Sequence, residues 1–229
     1  MTSRWKSPLR FENAGRSREH LSAKIPGPRK RLPGRVVFRG RAFKVRIAEV
    51  RKSSGVLTIR ETVEHSDSVA VVAVDRAMNV LLVRQWRDSV GKELLEIPAG
   101  GVEQDESPGD CVRRELREET GYLPRIIKKI GGFYSTPGFC TEYLYLYLAT
   151  DLEYAPLTAS DTDEIRVERI PLMDTFGLIS TGQIEDAKSI AGLLTVLTFY
   201  KEEIGQPYPT PSALAGQTAG WSTDSSQHI

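Results

Sequence analysis

Residues 100–121 constrain the fold of this 229-residue chain more than any other segment does. A glycine pair at its start interrupts an apolar run and allows the backbone to approach neighbouring atoms closely. Ser107 and Pro108 then supply a helix N-cap and a first helical position, and Gly121 supplies a residue suited to the end of a helix. The segment therefore predicts a strand, a loop and a helix over residues 108–120, in that order.

Three carboxylates lie on one side of this predicted helix. Glu115, Glu118 and Glu119 are spaced at i, i+3 and i+4, so they repel one another and the pKa of each rises unless a positive charge lies among them. Mg²⁺ meets that need, because it takes oxygen ligands from one or two carboxylates, water and phosphate. The helix could instead be a solvated one on which Arg114 pairs with Glu118 and nothing is bound. The residues alone leave both interpretations open.

Short β-branched runs surround this helix and predict strands. These strands cover residues 35–38, 43–50, 56–63, 69–74, 80–85 and 143–149. Leucine and tyrosine alternate in the last run, which predicts a half-buried strand. Apolar periodicity predicts a second helix over residues 186–203 and a shorter one over residues 172–180. This order of elements is typical of a mixed α/β or α+β domain.

The net charge of +1 conceals an uneven distribution along the chain. Residues 1–35 carry ten basic and two acidic side chains, a net charge of +8, whereas residues 36–205 carry 21 basic and 27 acidic side chains, a net charge of −6. Residues 1–35 lack hydrophobic periodicity and are rich in proline, so they predict a disordered arm, and residues 206–229 predict a disordered tail. Such an arm could be solvated, could contact nucleic acid or an anionic membrane, or could resemble a transit peptide.

Composition also bears on the compartment. No run approaches the roughly 20 apolar residues of a bilayer-spanning helix, which predicts a soluble protein with no membrane contact. Two cysteines, Cys111 and Cys140, are too few for a disulfide framework. We therefore expect free thiols, a reducing compartment and a cytoplasmic location.

Residues 100–121 also resemble the signature of the Nudix hydrolases. That signature is Gly, five residues, Glu, seven residues, then Arg-Glu-aliphatic-any-Glu-Glu-any-Gly. The matching residues are Gly100, Glu106, Arg114, Glu115, Leu116, Glu118, Glu119 and Gly121, with Tyr122 where an aliphatic residue is usual. The resemblance extends in weaker form from about Val56 to Tyr200.

The resemblance implies a fold and a domain organisation. The fold is an α/β/α sandwich with a mixed sheet, preceded by a small antiparallel β subdomain. The subdomain would cover residues 36–64 and the Nudix domain residues 65–205. In relatives such N-terminal strands pack against a partner subunit, which implies a homodimer.

The resemblance also implies roles for the residues of the signature. The metal ligands would be Glu115, Glu119 and the main-chain carbonyl of Ala99, holding Mg²⁺ or alternatively Mn²⁺. Glu118 would add charge or a water-mediated contact. Arg114 would orient the glutamates, and Glu106 could be structural.

Residues outside the signature resemble those of the ADP-ribose pyrophosphatases. Pro137 lies sixteen positions after Gly121, as in that subfamily, although a Pro-Gly pair is also a common turn. Arg60 and Arg87 would grip the adenosine or its phosphates, since a guanidinium can pair with phosphate and stack on a purine. Each arginine could instead be a solvated surface residue.

An acidic loop near residue 162 resembles the loop that supplies the general base in this subfamily. Asp161 would be the base and Asp163 a further metal contact, with Glu164 as the alternate for either role. Relatives tend to carry glutamates at the two aspartate positions, and a shorter side chain draws the carboxylate back toward the main chain. The loop could also be solvated and without a catalytic role.

The implied activity is Mg²⁺-dependent hydrolysis of ADP-ribose to AMP and ribose 5-phosphate. Another nucleotide sugar or a dinucleotide is an alternative substrate. A different class also stays open, namely a Nudix-like ligand-sensing module without turnover whose basic arm contacts nucleic acid. The intact set of three glutamates favours an enzyme, and no helix-turn-helix pattern accompanies the arm, so a nucleic-acid partner is not expected.

Overall fold

Three antiparallel strands begin the part of the chain that the computed structural model describes, residues 33–157 and 165–204. They are β1 (Arg35–Arg39), β2 (Phe43–Arg51) and β3 (Leu57–His65), in the order β1-β2-β3. The turn between β2 and β3 contains Gly55 at φ +84°, a left-handed conformation that glycine adopts without steric strain. The predicted N-terminal antiparallel sheet is confirmed.

Some predictions fall outside the described residues. The basic arm lies outside them up to residue 32, and the tail over residues 206–229 lies outside them entirely. The acidic loop is also outside, with Asp161, Asp163 and Glu164. These remain predictions.

A seven-stranded mixed sheet forms the centre of the molecule. Its strands are β4 (Ser68–Val74), β5 (Asn79–Arg87), β6 (Lys92–Glu96), β7 (Ala99–Gly101), β8 (Tyr122–Tyr134), β9 (Tyr143–Tyr154) and β10 (Arg166–Pro171). The order is β10-β5-β4-β9-β8, with β6 paired to β5 and β7 paired to β4. β4 and β9 are parallel and the other pairs are antiparallel, so the predicted mixed sheet is confirmed.

Helices cover both faces of this sheet. The helix α1 (Pro108–Thr120) packs on one face through Cys111, Val112 and Leu116. The opposite face is covered by a 3-10 turn (Leu172–Asp174), α2 (Thr175–Ser180), α3 (Ala187–Phe199) and α4 (Lys201–Ile204). Because a helix layer lies on each side, the architecture is the α/β/α sandwich that the resemblance implied.

The prediction that β9 is half-buried is wrong. Its leucines, such as Leu146, pack into the core on the α3 side, and Tyr145 and Tyr147 pack into the core on the α1 side. The alternation of residue types is therefore real. Both faces are nevertheless buried, because the strand is central in a sheet covered by two layers.

The helix predicted over residues 186–203 is divided in two. At Tyr200 the backbone has φ −124° and ψ −3°, which ends α3 one residue before α4 begins. The helices are short, and none in the described part of the chain has the length and apolar character needed to span a membrane.

Candidate active site

The loop and helix that carry the three glutamates fold as their sequence predicts. Before α1, the Ser107 hydroxyl accepts a hydrogen bond from the Asp110 main-chain N–H at 3.2 Å, and Pro108 takes the first helical position. After the helix, Gly121 has φ +80° and its N–H donates to the Arg117 carbonyl at 3.0 Å. The short strand β7 lies just before this loop and pairs with β4. The glutamates are therefore held by a helix fixed at both ends and set against the central sheet.

Glu119 points from α1 to the end of β7. Its Oε2 accepts a hydrogen bond from the Ala99 N–H at 3.1 Å. Burial, together with the nearby charge of Glu115, raises the pKa of the Glu119 carboxyl to about 8, although the Ala99 N–H and the cations of Arg87 and Lys188 act in the opposite direction. The positive charge near the Glu119 carboxylate is too small to offset its burial and the charge of Glu115. A cation bound there would supply the missing positive charge.

Glu115 lies one turn earlier, against Gly100. A Cβ atom at Gly100 would lie only 1.9 Å from Cδ of Glu115, so the carboxylate occupies the space that any other residue's side chain would fill. Burial raises the pKa of Glu115 despite the neighbouring charge of Arg114, and Glu118 and Glu106 raise it further. The first glycine of the signature is thus explained by this close approach.

Arg114 holds the other acidic residues of the signature together. Its Nε and Nη2 donate to the two carboxylate oxygens of Glu106 at 2.8 and 2.9 Å, and its Nη1 donates to Glu115 at 2.6 Å and Glu118 at 3.1 Å. Hydrogen bonding to Arg114 lowers the pKa of Glu106 to about 2 despite partial burial. Nη2 also donates to the Gly101 carbonyl at 3.0 Å. Arg114 therefore ties the helix to the loop that precedes it.

The donor set fits a hard divalent cation that keeps water ligands. In the part of the chain that the structure describes, no three Asp, Glu, His or Cys side chains form a preassembled metal cluster. Glu115 and Glu119 are two partly buried carboxylates that contact the β7 backbone at Gly100 and Ala99. Mg²⁺ needs only one or two protein carboxylates when waters and substrate phosphates complete its coordination. Glu115, Glu119 and the Ala99 carbonyl are accordingly the residues that could hold it.

Arg87 lies beside this site and is engaged by a buried carboxylate. It ends β5, and its Nε donates to both oxygens of Glu96 at 3.2 Å while Nη2 donates to Oε2. Burial would lower the pKa of Arg87, but the carboxylates of Glu96, Glu119 and Asp186 raise it overall. The structure thus brings Arg87 close enough to the Glu119 carboxylate to respond to its charge.

Arg60 and Pro137 lie elsewhere. Arg60 is exposed on β3 opposite Ala48, and within the described residues no hydrogen bond or ion pair joins it to the signature. Pro137 lies in the loop between β8 and β9, which is fastened to the end of β3. The Val63 N–H donates to the Phe139 carbonyl at 2.7 Å, and the Thr141 N–H donates to the Val63 carbonyl at 3.0 Å. The N-terminal sheet therefore positions the loop that contains Pro137.

Sequence reasoning missed Glu96 and its second partner, Lys188. The Lys188 ammonium donates to Glu96 Oε2 at 2.8 Å, across 92 positions of sequence. A lone carboxylate in the apolar run Leu94–Ile97 was a signal that could have identified Glu96, since such a residue is buried only with partners. Lys188 had no comparable signal.

The chain is similar in sequence to a known domain family and to characterised enzymes. The chain matches the NUDIX domain family model over residues 64–193. It is 34% identical over 155 residues to the ADP-ribose pyrophosphatase of Bacillus subtilis (strain 168), covering 67% of this chain and 84% of that protein. It is 32% identical over 153 residues to the GDP-mannose pyrophosphatase of Yersinia pestis (strain Pestoides F), covering 61% of this chain and 75% of that protein.

A solved structure shares the fold. The crystal structure of an ADP compounds hydrolase superposes with a TM-score of 0.69 at 20% sequence identity, covering 78% of this chain and all of that one. At that identity the likeness is one of architecture. It supports the overall fold described above.

Proposed function

The chain belongs to the Nudix family, and we propose that it hydrolyses the diphosphate linkage of ADP-ribose to AMP and ribose 5-phosphate with Mg²⁺. As a Nudix hydrolase it acts on pyrophosphate bonds, and enzymes of this family generally use divalent cations. The observation that carries the proposal is the placement of the partly buried Glu115 and Glu119 carboxylates against the consecutive β7 residues Gly100 and Ala99. The Bacillus relative supports ADP-ribose as the substrate.

In this proposal the metal site is built from α1 and β7. Glu115, Glu119 and the Ala99 carbonyl hold Mg²⁺, or Mn²⁺ in its place, and Glu118 adds negative charge nearby. When bound, the cation would neutralise charge on the substrate phosphates and activate a water molecule. Arg114 fixes the direction of the Glu115 carboxylate through its 2.6 Å hydrogen bond.

Residues around the metal site complete the proposed machinery. Arg87 takes a phosphate oxygen of the substrate, and Arg60 contacts the adenosine or its phosphates. The loop with Pro137 borders the substrate. Asp161 removes the proton from the attacking water and Asp163 adds a metal contact, with Glu164 as the alternate for either role. The intracellular setting we propose is the cytoplasm, which agrees with the free thiols of both cysteines.

A second candidate substrate is GDP-mannose, because a relative of similar identity carries that activity in its name. Both substrates present a nucleoside diphosphate joined to a sugar, so the same metal site serves either. The distinction rests on contacts to the base and the sugar. A sensing module without turnover is disfavoured, because binding alone does not require two desolvated carboxylates.

A substrate panel tests the proposal directly. The purified chain is incubated with ADP-ribose, GDP-mannose, other nucleoside diphosphate sugars, a dinucleotide and nucleoside triphosphates, with Mg²⁺, Mn²⁺ or EDTA. We expect ADP-ribose to have the highest kcat/KM and to yield AMP, with no turnover in EDTA. A higher kcat/KM for GDP-mannose would show that GDP-mannose, and not ADP-ribose, is the substrate. Turnover in EDTA would contradict the metal site.

We further propose that the protein is a homodimer formed through the N-terminal sheet. A sheet of only three strands depends for its stability on a hydrophobic face. The sheet exposes many large apolar side chains, which at a dimer interface would be covered. These side chains are Val37, Phe38, Phe43, Val50, Val56, Leu57 and Ile59.

Molar mass in solution tests the dimer. The chain has a mass of 25.5 kDa, and we expect light scattering to give twice that value. Ile59 is 59% exposed, and Ile59→Asp should reduce the mass to that of the monomer, whereas Val90→Asp, at a turn residue that is 56% exposed, should leave the dimer intact. A monomeric wild type, or a dimeric Ile59→Asp variant, would contradict this interface.

A further inference from the structure

A buried network of charges joins the helix α3 to Arg87. Lys188, in the first turn of α3, donates to Glu96 Oε2 at 2.8 Å and to Asp186 Oδ2 at 2.9 Å. Asp186 is also the N-cap of the helix and accepts from the Ser189 N–H at 3.1 Å. Glu96 in turn receives the guanidinium of Arg87. The contacts thus run from α3 through Glu96 to the edge of the proposed active site.

The burial of this network is unusual for charged groups. The Glu96 side chain is 3% exposed and that of Lys188 is 15% exposed. Ion pairs removed from water gain little net stability, because desolvation offsets their attraction. Within the described residues, Asp186 Oδ1 is buried without a hydrogen-bond partner, which lowers the stability of the folded state further. An apolar packing of the same volume would stabilise the fold as well, so stability alone does not explain the network.

The geometry of Arg87 suggests a role for the network in function. Glu96 occupies the Nε and Nη2 edge of the guanidinium, and within the described residues Nη1 has no hydrogen-bond partner. The Arg87 side chain is 36% exposed, so part of it is accessible to a ligand. A guanidinium held along one edge presents its other nitrogen in a fixed direction, which suits an oxygen of a diphosphate.

We propose that Lys188 is a positioning residue that, through Glu96, fixes Arg87 for the phosphate of the substrate. Glu96 would otherwise be held at Oε2 by Arg87 alone and would be free to move with it. Lys188 anchors that oxygen to the start of α3, so Arg87 is held before the substrate arrives. This inference rests on the proposed function, because it assigns Arg87 to a substrate phosphate.

Steady-state kinetics of Lys188 variants test the inference. Lys188→Met removes the charge and keeps most of the side-chain length. We expect KM for ADP-ribose to rise about tenfold, with kcat changed less than about threefold, because a lost positioning contact weakens binding more than it alters the chemical step. The Mg²⁺ concentration for half-maximal rate should rise no more than about twofold, since the metal ligands are unchanged and the loss of a nearby cation does not repel Mg²⁺. Lys188→Arg should restore most of the affinity.

A surface lysine provides the matched control. Lys92 on β6 pairs with Glu185 and is 52% exposed. Lys92→Met therefore removes an ion pair of the same kind without touching Glu96, and its KM should equal that of wild type. An equal rise of KM in Lys92→Met and Lys188→Met would overturn the inference.

A double-mutant cycle with Arg87→Met separates positioning from a structural role. If Lys188 acts through Arg87, Lys188→Met should raise KM no further once Arg87 is absent. An additional tenfold rise in the double variant would show that Lys188 acts independently and would overturn the proposal. Thermal unfolding identifies variants that fail to fold, and Lys188→Gln then takes the place of Lys188→Met in the same cycle.

Failure of the proposed substrate is recognised separately. A wild type that leaves ADP-ribose intact contradicts the proposed function, and the cycle is then measured with GDP-mannose, or as affinity for inorganic pyrophosphate by calorimetry. The same loss in Lys188→Met, absent when Arg87 is replaced, would still support the positioning role. Unchanged affinity in Lys188→Met would overturn it.

Discussion

Glu119→Gln is expected to reduce Mg²⁺-dependent hydrolysis of ADP-ribose by about a thousandfold or more, because a charged metal ligand is replaced by a neutral amide. Glutamine keeps the shape of the side chain, and its Oε1 can still accept the 3.1 Å hydrogen bond from the Ala99 N–H. The loss should therefore arise from charge and not from misfolding. Initial rates measured over a range of Mg²⁺ concentrations give the result.

The same variant should be at least as stable as wild type when no metal is present. Burial raises the pKa of Glu119 to about 8, so at neutral pH this carboxyl is ionised in the unfolded chain and must take up a proton on folding, which opposes folding. Removing the charge relieves that penalty. Thermal unfolding in EDTA should show an equal or higher midpoint for Glu119→Gln, and added Mg²⁺ should raise the midpoint of wild type more than that of the variant.

Glu103→Gln is the matched control, since Glu103 is an exposed residue of the loop that precedes α1. It removes the same charge near the site without removing a proposed ligand, and its rate should stay close to that of wild type. Glu119→Gln with more than a tenth of the wild-type rate would contradict the metal assignment.

Local signals explain what the sequence could predict. The helix α1 has the predicted bounds because its beginning and end are set by Ser107, Pro108 and Gly121, all adjacent to it in sequence. The residues that contact one another around Arg114 also lie within one loop and helix. Spacing along the chain is sufficient for such a group.

Tertiary packing explains what the sequence could not predict. The strand β8 was missed because its charged and glycine residues break any alternation, and a bulge shifts its register between Lys129 and Gly131. The network of Glu96 and Lys188 was missed because its members come from β6 and α3, which meet only in the folded molecule.

The proposed metal site explains part of the net negative charge of residues 36–205. Glu106 is neutralised by Arg114, whose two hydrogen bonds hold the pKa of that carboxyl at about 2. Among the residues that the structure describes, no arginine or lysine forms an ion pair with Glu119, and burial raises the pKa of its carboxyl. A cation bound at Glu119 would offset part of the net charge of −6 on residues 36–205.

Gly100→Ala is expected to lower the rate by about a hundredfold, because displacement of a catalytic group by about 1 Å has an effect of that size. A Cβ at this position would lie 1.9 Å from Cδ of Glu115 and 2.0 and 2.3 Å from its two carboxylate oxygens. Those distances are far shorter than any real contact, so the Glu115 side chain must move. We expect a higher Mg²⁺ concentration for half-maximal rate together with a lower kcat.

Gly101→Ala separates this clash from a general effect on the glycine pair. At Gly101 the nearest atom to a new Cβ would be the Ser66 hydroxyl oxygen at 3.7 Å, an ordinary van der Waals distance. Neither glycine has a left-handed φ, so alanine adds no backbone strain at either position. The two variants therefore differ in one respect, the space taken from Glu115. Near-wild-type activity in Gly101→Ala with a large loss in Gly100→Ala would locate a metal ligand at Glu115, whereas equal activity in the two variants would remove Glu115 from the proposed metal site.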